Sequence, residues 1–206
     1  MTDNQTWSDL GVDKDICDVL LERGITSPFP IQTLTIPDAL SARDVCGKAK
    51  TGSGKTFAFG IPMIQNLDLT RKSSSSDPRV LILVPTRELA VQVSEELLPI
   101  TNVRGLKIAA IYGGANIETQ IKTIKKGLDL IAATPGRMID LLERGEISVA
   151  ALEMVVIDEA DRMADMGFLP QVEWILRKVG RKHQTLLFSA TLDGAVNSLI
   201  QRYQSD

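Results

Sequence analysis

Six short runs of apolar, largely β-branched residues alternate with longer amphipathic stretches, and this alternation leaves few architectures open. The runs are Asp44–Ala49, Val80–Val84, Lys107–Tyr112, Leu128–Thr134, Met154–Asp158 and Thr185–Ser189. They are apolar on both faces, as strands covered from two sides must be. The stretches between them predict helices over Lys55–Gln65, Arg87–Leu98, Asn116–Lys126, Gly136–Arg144, Pro170–Val179 and Asp193–Tyr203. An earlier helix is predicted over Asp13–Arg23, with Asp13 as N-cap, Ile16, Val19 and Leu20 on its apolar face and Gly24 as its stop. Strands interleaved with helices give an α/β fold, a mostly parallel sheet with helices on both faces. Ligands of such sheets bind beyond the carboxyl ends of the strands.

The 206 residues suffice for one large domain. No apolar run reaches membrane-spanning length, and the polar start Met1–Asp9 lacks a signal-peptide pattern, so no membrane contact is expected. Cys17 and Cys46 lie in apolar segments without a Cys-x-x-Cys spacing. They read as reduced core residues of a cytoplasmic protein. A net charge of −3 excludes a chain that holds nucleic acid by bulk charge, so any such contact must be a local patch. The serine-rich segment Arg71–Asp77, closed by Pro78, reads as a solvated spacer.

Two motifs carry chemistry. Ala49-Lys-Thr-Gly-Ser-Gly-Lys-Thr56 lies between a predicted strand and a predicted helix. Backbone N–H groups of Thr51, Gly52, Ser53 and Gly54 can converge on phosphate oxygens there, helped by the helix N-terminus. Lys55 would neutralise the β- and γ-phosphates of ATP, and Thr56 would offer its hydroxyl to Mg²⁺. Ala49 stands where the pattern usually has its first glycine, and the plain alternative is a glycine-rich turn. Asp158-Glu159-Ala160-Asp161 ends the apolar run Met154–Ile157. Asp158 is suited to Mg²⁺, and Glu159 to orienting and deprotonating a water. Acids favoured at a helix N-terminus are the alternative there. Lys55, Asp158 and Glu159 are thus the catalytic candidates.

Further residues fall at the same predicted sheet edge: Pro85, Thr86, Arg87, Gly113, Gly114, Thr134, Gly136 and Arg137. Hydroxyls, arginines and helix starts can hold the phosphates of a single strand without reading bases. Ion-paired or solvated arginines are the alternative. No aromatic row accompanies them, so sequence-nonspecific binding is expected. Gln32 can pair with the N6 donor and N7 acceptor of adenine, or can be a surface glutamine in a proline-rich turn.

The spelling D-E-A-D, with its surroundings, resembles the DEAD-box RNA helicase family over almost the whole chain. Gly24-Ile-Thr-Ser-Pro-Phe-Pro-Ile-Gln32 is similar to the family's Q motif, and Trp7 to its upstream aromatic, although Trp7 also reads as a core anchor. Pro85–Ala90 is similar to motif Ia, Gly113-Gly114 to the GG motif, Thr134–Arg137 to motif Ib and Ser189-Ala-Thr191 to motif III. Ile25 occupies the position where the family often carries an aromatic against adenine, so weaker base affinity is expected. The resemblance implies a RecA-like P-loop domain over residues 34–206, with a Q-motif region over 1–33 packed on it. It implies ATP and Mg²⁺ as cofactors, with Trp7, Ile25 and Gln32 at the base. RNA would be held by its sugar–phosphate backbone, and Asp161, Ser189 and Thr191 would couple the two sites. The family's working unit has two RecA-like domains. The chain is expected to be the first of them, a monomer in isolation and slow in turnover without the second.

Overall fold

The computed structural model describes residues 5–71, 77–180 and 182–205. Most of the predicted serine-rich spacer, residues 72–76, lies outside them. Six strands, β1 Val45–Lys48, β2 Val80–Leu83, β3 Ile108–Ile111, β4 Leu130–Ala133, β5 Met154–Ile157 and β6 Gln184–Ser189, form one sheet in the order β1-β6-β5-β2-β4-β3. Every pairing is parallel. The expected strands are all present, five of them trimmed by a residue or two at their ends and β6 one residue longer at its start.

Nine helices were assigned among the described residues: α1 Lys14–Glu22, α2 Pro30–Leu40, α3 Lys55–Gln65, α4 Arg87–Val103, α5 Ile117–Lys125, α6 Pro135–Glu143, α7 Ala160–Asp165, α8 Leu169–Leu176 and α9 Gly194–Tyr203. They divide between the faces of the sheet. The core on one side joins α1 to α4 to strand residues Val80, Ile82, Val156 and Phe188. The core on the other joins α5 to α9 to Leu81, Leu83, Val155 and Leu187. Trp7, Leu10, Val12, Ile16 and Leu20 belong to the first of these cores.

Four sequence expectations change. The segment read as a possible proline-rich turn is α2: Pro30 occupies its first turn, where a missing N–H costs nothing. Gln32 in that turn accepts the Phe29 N–H at 2.7 Å, as a capping box requires. Asp13 precedes α1 but makes no side-chain cap, because its carboxylate takes the Arg104 guanidinium at 2.6 Å. Helix α4 runs five residues past Leu98, through Pro99. The cysteines are not core residues: Cys46 is exposed and Cys17 half-buried. Strand β1 lies at the sheet edge and buries only alternate residues, Val45 and Gly47, which leaves Cys46 outside.

The sheet is tightest where β1 meets β6. Phe188 is fully buried and tilts against Phe59, ring centroids 5.6 Å apart. A Cβ on Gly47 would lie 2.5 Å from Cε1 of Phe188. Gly47→Ala must therefore displace a ring with no free volume around it, at a cost of about 1–3 kcal/mol. Urea unfolding of the variant and the parent measures this, and the cost of Gly47→Ala should largely vanish when it is made in Phe188→Leu and compared with Phe188→Leu alone, where the ring is gone.

Candidate functional site

Strands β1, β5 and β6 deliver their motifs side by side at the carboxyl edge. Register places Lys48 beside Ser189 and Ile157 beside Leu187. Ser189 is fully buried and bonded to both neighbours. Its carbonyl accepts the Ala49 N–H at 2.9 Å, and its Oγ accepts the Asp161 N–H at 3.1 Å. Ser189 and Asp161, two of the three expected coupling residues, are thus bonded through the Asp161 amide. Thr191 is exposed just beyond.

The phosphate-type loop turns on Gly52 and Gly54, both at positive φ. Gly54 is held by contacts as well: a Cβ there would lie 2.5 Å from Gln32 Nε2 and 2.6 Å from a Phe29 ring carbon. Ser53 closes the turn by donating its hydroxyl to the Lys50 carbonyl. The loop ends at α3, whose first residue is Lys55. The Lys55 ammonium is 3.0 Å from Asp158 Oδ1 and 3.8 Å from Glu159 Oε1, and all three side chains are buried. Burial pushes the Asp158 carboxyl above its ordinary value; Lys55 opposes this and the Glu159 charge adds to it. Glu159 also accepts the Thr51 hydroxyl at 3.3 Å and pairs with Arg162 at 3.2 Å. Its backbone is left-handed, φ 53° and ψ 48°, in a non-glycine residue. Such geometry needs surrounding contacts to hold it.

These residues line a cavity of about 550 Å³, which takes in Ile25, Gln32, Thr51, Gly52, Gly54, Lys55, Thr56, Asp158 and Glu159. Trp7 and Ser53 do not line it. Trp7 is buried behind it, and its indole N–H donates to the Ile25 carbonyl at 3.0 Å, so it fixes Ile25 from the core. Gln32 is buried, with Nε2 donating to the Gly54 carbonyl at 2.8 Å. The motifs did not assign the remaining wall to this cavity: Arg23 after α1 and Phe57 of α3 lie outside them, as do Gln92, Val93 and Glu96 of α4, and Leu89 of α4 falls in the run resembling motif Ia. Their spacing along α4, 89-92-93-96, is a helix-face signal that reads in sequence as ordinary packing.

A second groove gathers Pro85, Arg87, Gly113, Thr134, Gly136 and Arg137, with Asp140, Phe168 and Gln171. Thr86 and Gly114 flank it. Thr86 caps α4 by accepting the Leu89 N–H, and Gly114 turns at φ 83°. Arg87 is exposed and lies over the Tyr112 ring. Arg137 is committed inward, donating to Gln120 Oε1 at 2.8 Å and to the Ala115 carbonyl at 3.1 Å. It braces the glycine loop, and Arg87 is the freer cation.

Three comparisons accord with this geometry. The DEAD/DEAH box helicase family model matches residues 29–199. The chain is 42% identical over 202 residues to the ATP-dependent RNA helicase DeaD of Escherichia coli (strain K12), covering 98% of this chain and 32% of that protein. It is 41% identical over 201 residues to the DEAD-box ATP-dependent RNA helicase CshA of Geobacillus kaustophilus (strain HTA426), covering 98% of this chain and 42% of that one. The backbone superposes on the crystal structure of a DEAD box protein from the hyperthermophile Methanococcus jannaschii with TM-score 0.90 at 36% identity, over 98% of this chain and 54% of that chain. The chain thus spans about a third of the length of DeaD. No helix among the described residues is long and apolar enough to cross a membrane.

The Lys55 contacts make a stability prediction. Lys55→Ala leaves buried Asp158 without its cation and Glu159 with Arg162 alone, and should lower the unfolding free energy by about 3 kcal/mol or more. Asp158→Asn in the Lys55→Ala background should recover over half of that. A double-mutant cycle in urea reads the coupling, and simple additivity would mean that the pair is energetically silent.

Proposed function

Because the chain belongs to the DEAD/DEAH box helicase family, we propose that it binds ATP with Mg²⁺ in the larger cavity and RNA in the groove, as the ATP-holding RecA-like domain of an ATP-dependent RNA helicase. The observation that carries this reading is the buried Lys55 ammonium, shared by two carboxylates at the mouth of a glycine loop. A cation in that place can exchange carboxylate for phosphate without leaving its pocket.

Thr56 and Asp158 supply hard oxygen donors of the kind Mg²⁺ takes. No group of three or more His, Cys, Asp or Glu suited to a metal occurs among the described residues. One carboxylate and one hydroxyl suit a cation that keeps waters and shares substrate phosphates. When bound, it would neutralise charge on the β- and γ-phosphate oxygens. Loop amides from Thr51 to Gly54 orient the phosphates, and Lys55 moves from Asp158 toward them. Glu159, held by Thr51 and Arg162, accepts the proton of the attacking water. Ser189 ties the loop to the acid segment through Ala49 and Asp161, and Asp161, Ser189 and Thr191 couple the nucleotide site to the RNA site.

The Gln32 amide has capacity left for adenine. Two of its bonds are used, one by Oε1 and one by Nε2; a lone pair and a hydrogen remain. Those suit the N6 donor and N7 acceptor of adenine, and guanine offers two acceptors instead. At the groove, Arg87, Thr86 and the Gly114 and Gly136 amides take backbone phosphates, with Arg137 and Thr134 shaping the loop, Thr134 by accepting the Gly113 N–H at 3.4 Å. The binding is blind to sequence.

Beside Glu159 in the acid-end cavity stands one guanidinium, Arg162, already committed to Glu159. Charge on the transferring phosphoryl group is then met by a second RecA-like domain, and this chain alone turns over slowly. An arginine finger of that kind is worth about 10³–10⁵ in rate. The setting is cytoplasmic, consistent with two free cysteines.

Calorimetry with MgADP and MgGDP tests the nucleotide reading. ADP should bind at least about tenfold tighter than GDP, and Gln32→Ala should remove most of that gap. Equal affinities in the parent protein would contradict it. For RNA, Arg87→Ala should lower the slope of log affinity against log salt by about 0.7 on single strands of any sequence. An unchanged slope would move the interface elsewhere.

A further inference from the structure

One wall of the large cavity belongs to no motif. Phe57 follows Thr56 in the first turn of α3 and lines the same cavity as Ile25 and Gln32. The cavity at the acid end, lined by Ala49, Thr51, Lys55, Glu159, Asp161, Arg162 and Ala190, includes none of those three. Phe57 therefore stands at the end of the site where the Gln32 amide offers its free lone pair and hydrogen. Its ring is partly buried against the core and lies under the Arg23 guanidinium, whose Cζ is 5.6 Å from the ring centroid.

A purine needs a flat partner for its face. Ile25 is branched and aliphatic, and its backbone is fixed from behind by Trp7. Phe29 is 55% exposed, with its ring pressed against the Cα of Gly54. Phe57 combines a seat packed on the core with a face that lies under one exposed side chain, Arg23. Arg23 is exposed and donates to the Glu96 carbonyl at 3.0 Å. A base between ring and guanidinium needs about 7 Å, two contacts of about 3.5 Å each. The observed 5.6 Å is too close, so an entering base must lift Arg23, which can then lie flat on the base's outer face.

We propose that Phe57 is the base-stacking wall of this site, supplying the aromatic face that Ile25 lacks, with Arg23 as its displaceable cover. The inference rests on the nucleotide reading above and adds a division of labour. Stacking tolerates any base, so Phe57 sets affinity and Gln32 sets the choice of adenine.

The test titrates MgADP, MgGDP and magnesium pyrophosphate into the parent, Phe57→Leu, Phe57→Trp and Phe29→Leu proteins, with thermal unfolding as a check on folding. Phe57→Leu should weaken ADP and GDP alike by at least about fivefold, keep their ratio, and leave pyrophosphate within about twofold. Phe57→Trp should keep ADP within about threefold of the parent, with an indole fluorescence change on ADP but not on pyrophosphate. Unchanged ADP affinity in Phe57→Leu would overturn the proposal. So would an equal loss for pyrophosphate, which would mean that Phe57 only shapes the loop, or a loss found in Phe29→Leu instead. If the parent binds pyrophosphate and neither nucleotide, the base subsite is absent, and the adenine reading falls with the proposal while phosphate binding at the loop stands. If it binds none of the three, the nucleotide reading falls and takes the proposal with it.

Discussion

A lysine ammonium held between two buried carboxylates is the constraint on which the site depends. Lys55, Asp158 and Glu159 are each less than a tenth exposed, and they follow strands two places apart in the sheet order, Lys55 opening α3 after β1 and the acid pair at the end of β5. Bringing them together requires β6 between β1 and β5, in register. That in turn requires Gly47, since any side chain there meets Phe188. The buried charges would be costly alone. Together they are a compact, nearly neutral unit with one surplus carboxylate, and Arg162 meets that surplus from α7. The left-handed backbone of Glu159 belongs to the same arrangement: Lys55, Thr51 and Arg162 all meet its carboxylate.

The opposite edge of the sheet is also rich in charge but is built differently. Arg79 is fully buried, and its guanidinium is used up by Glu153 and by the carbonyls of Asp68 and Arg71. Asp44 accepts the backbone N–H of Thr185 and of Ser205. These groups close strand ends and loops, and their bonds are spent within the fold. At the carboxyl edge, by contrast, Gln32 keeps half its bonding capacity, Arg87 is exposed and the Gly113–Gly114 loop is open. Function follows unspent capacity more than charge content.

That distinction explains what the sequence made legible. Strand positions followed from runs apolar on both faces, because a covered parallel strand has no polar side. Lys55 and the acid pair followed from fixed spacings at strand ends. What a side chain is bonded to could not be read that way. Arg87 and Arg137 look alike in sequence, yet Arg137 is turned inward on Gln120 and the Ala115 carbonyl. Trp7, expected near the nucleotide or in the core, is buried behind the cavity and anchors Ile25, which lines it. Cys46 sits in an apolar run but on an edge strand, where alternate residues face out. Edge position is a property of sheet order, and no single run encodes it. Helix α2 was hidden for a local reason: its prolines, Pro30 and Pro37, read as breakers, while Pro30 sits in the one turn that tolerates it.

Helix α4 joins the two candidate sites in one rigid body. Its first residue, Arg87, lines the groove, and Leu89, Gln92, Val93 and Glu96, within the next two to three turns, line the larger cavity. Thr86 fixes its start through a cap, and Ala90, Val93, Leu97 and Ile100 fix its buried side. A packed helix moves as a unit, since close-packed cores shift between discrete arrangements and do not bend continuously. Displacing Arg23 from Phe57 would release its tie to the Glu96 carbonyl on that same helix. On the proposed reading, base binding would free one anchor of α4 at the cavity while phosphates would load Arg87 at the groove. Both act on a single element, so the free energy of one occupancy can bias the other without any chain of intermediate contacts.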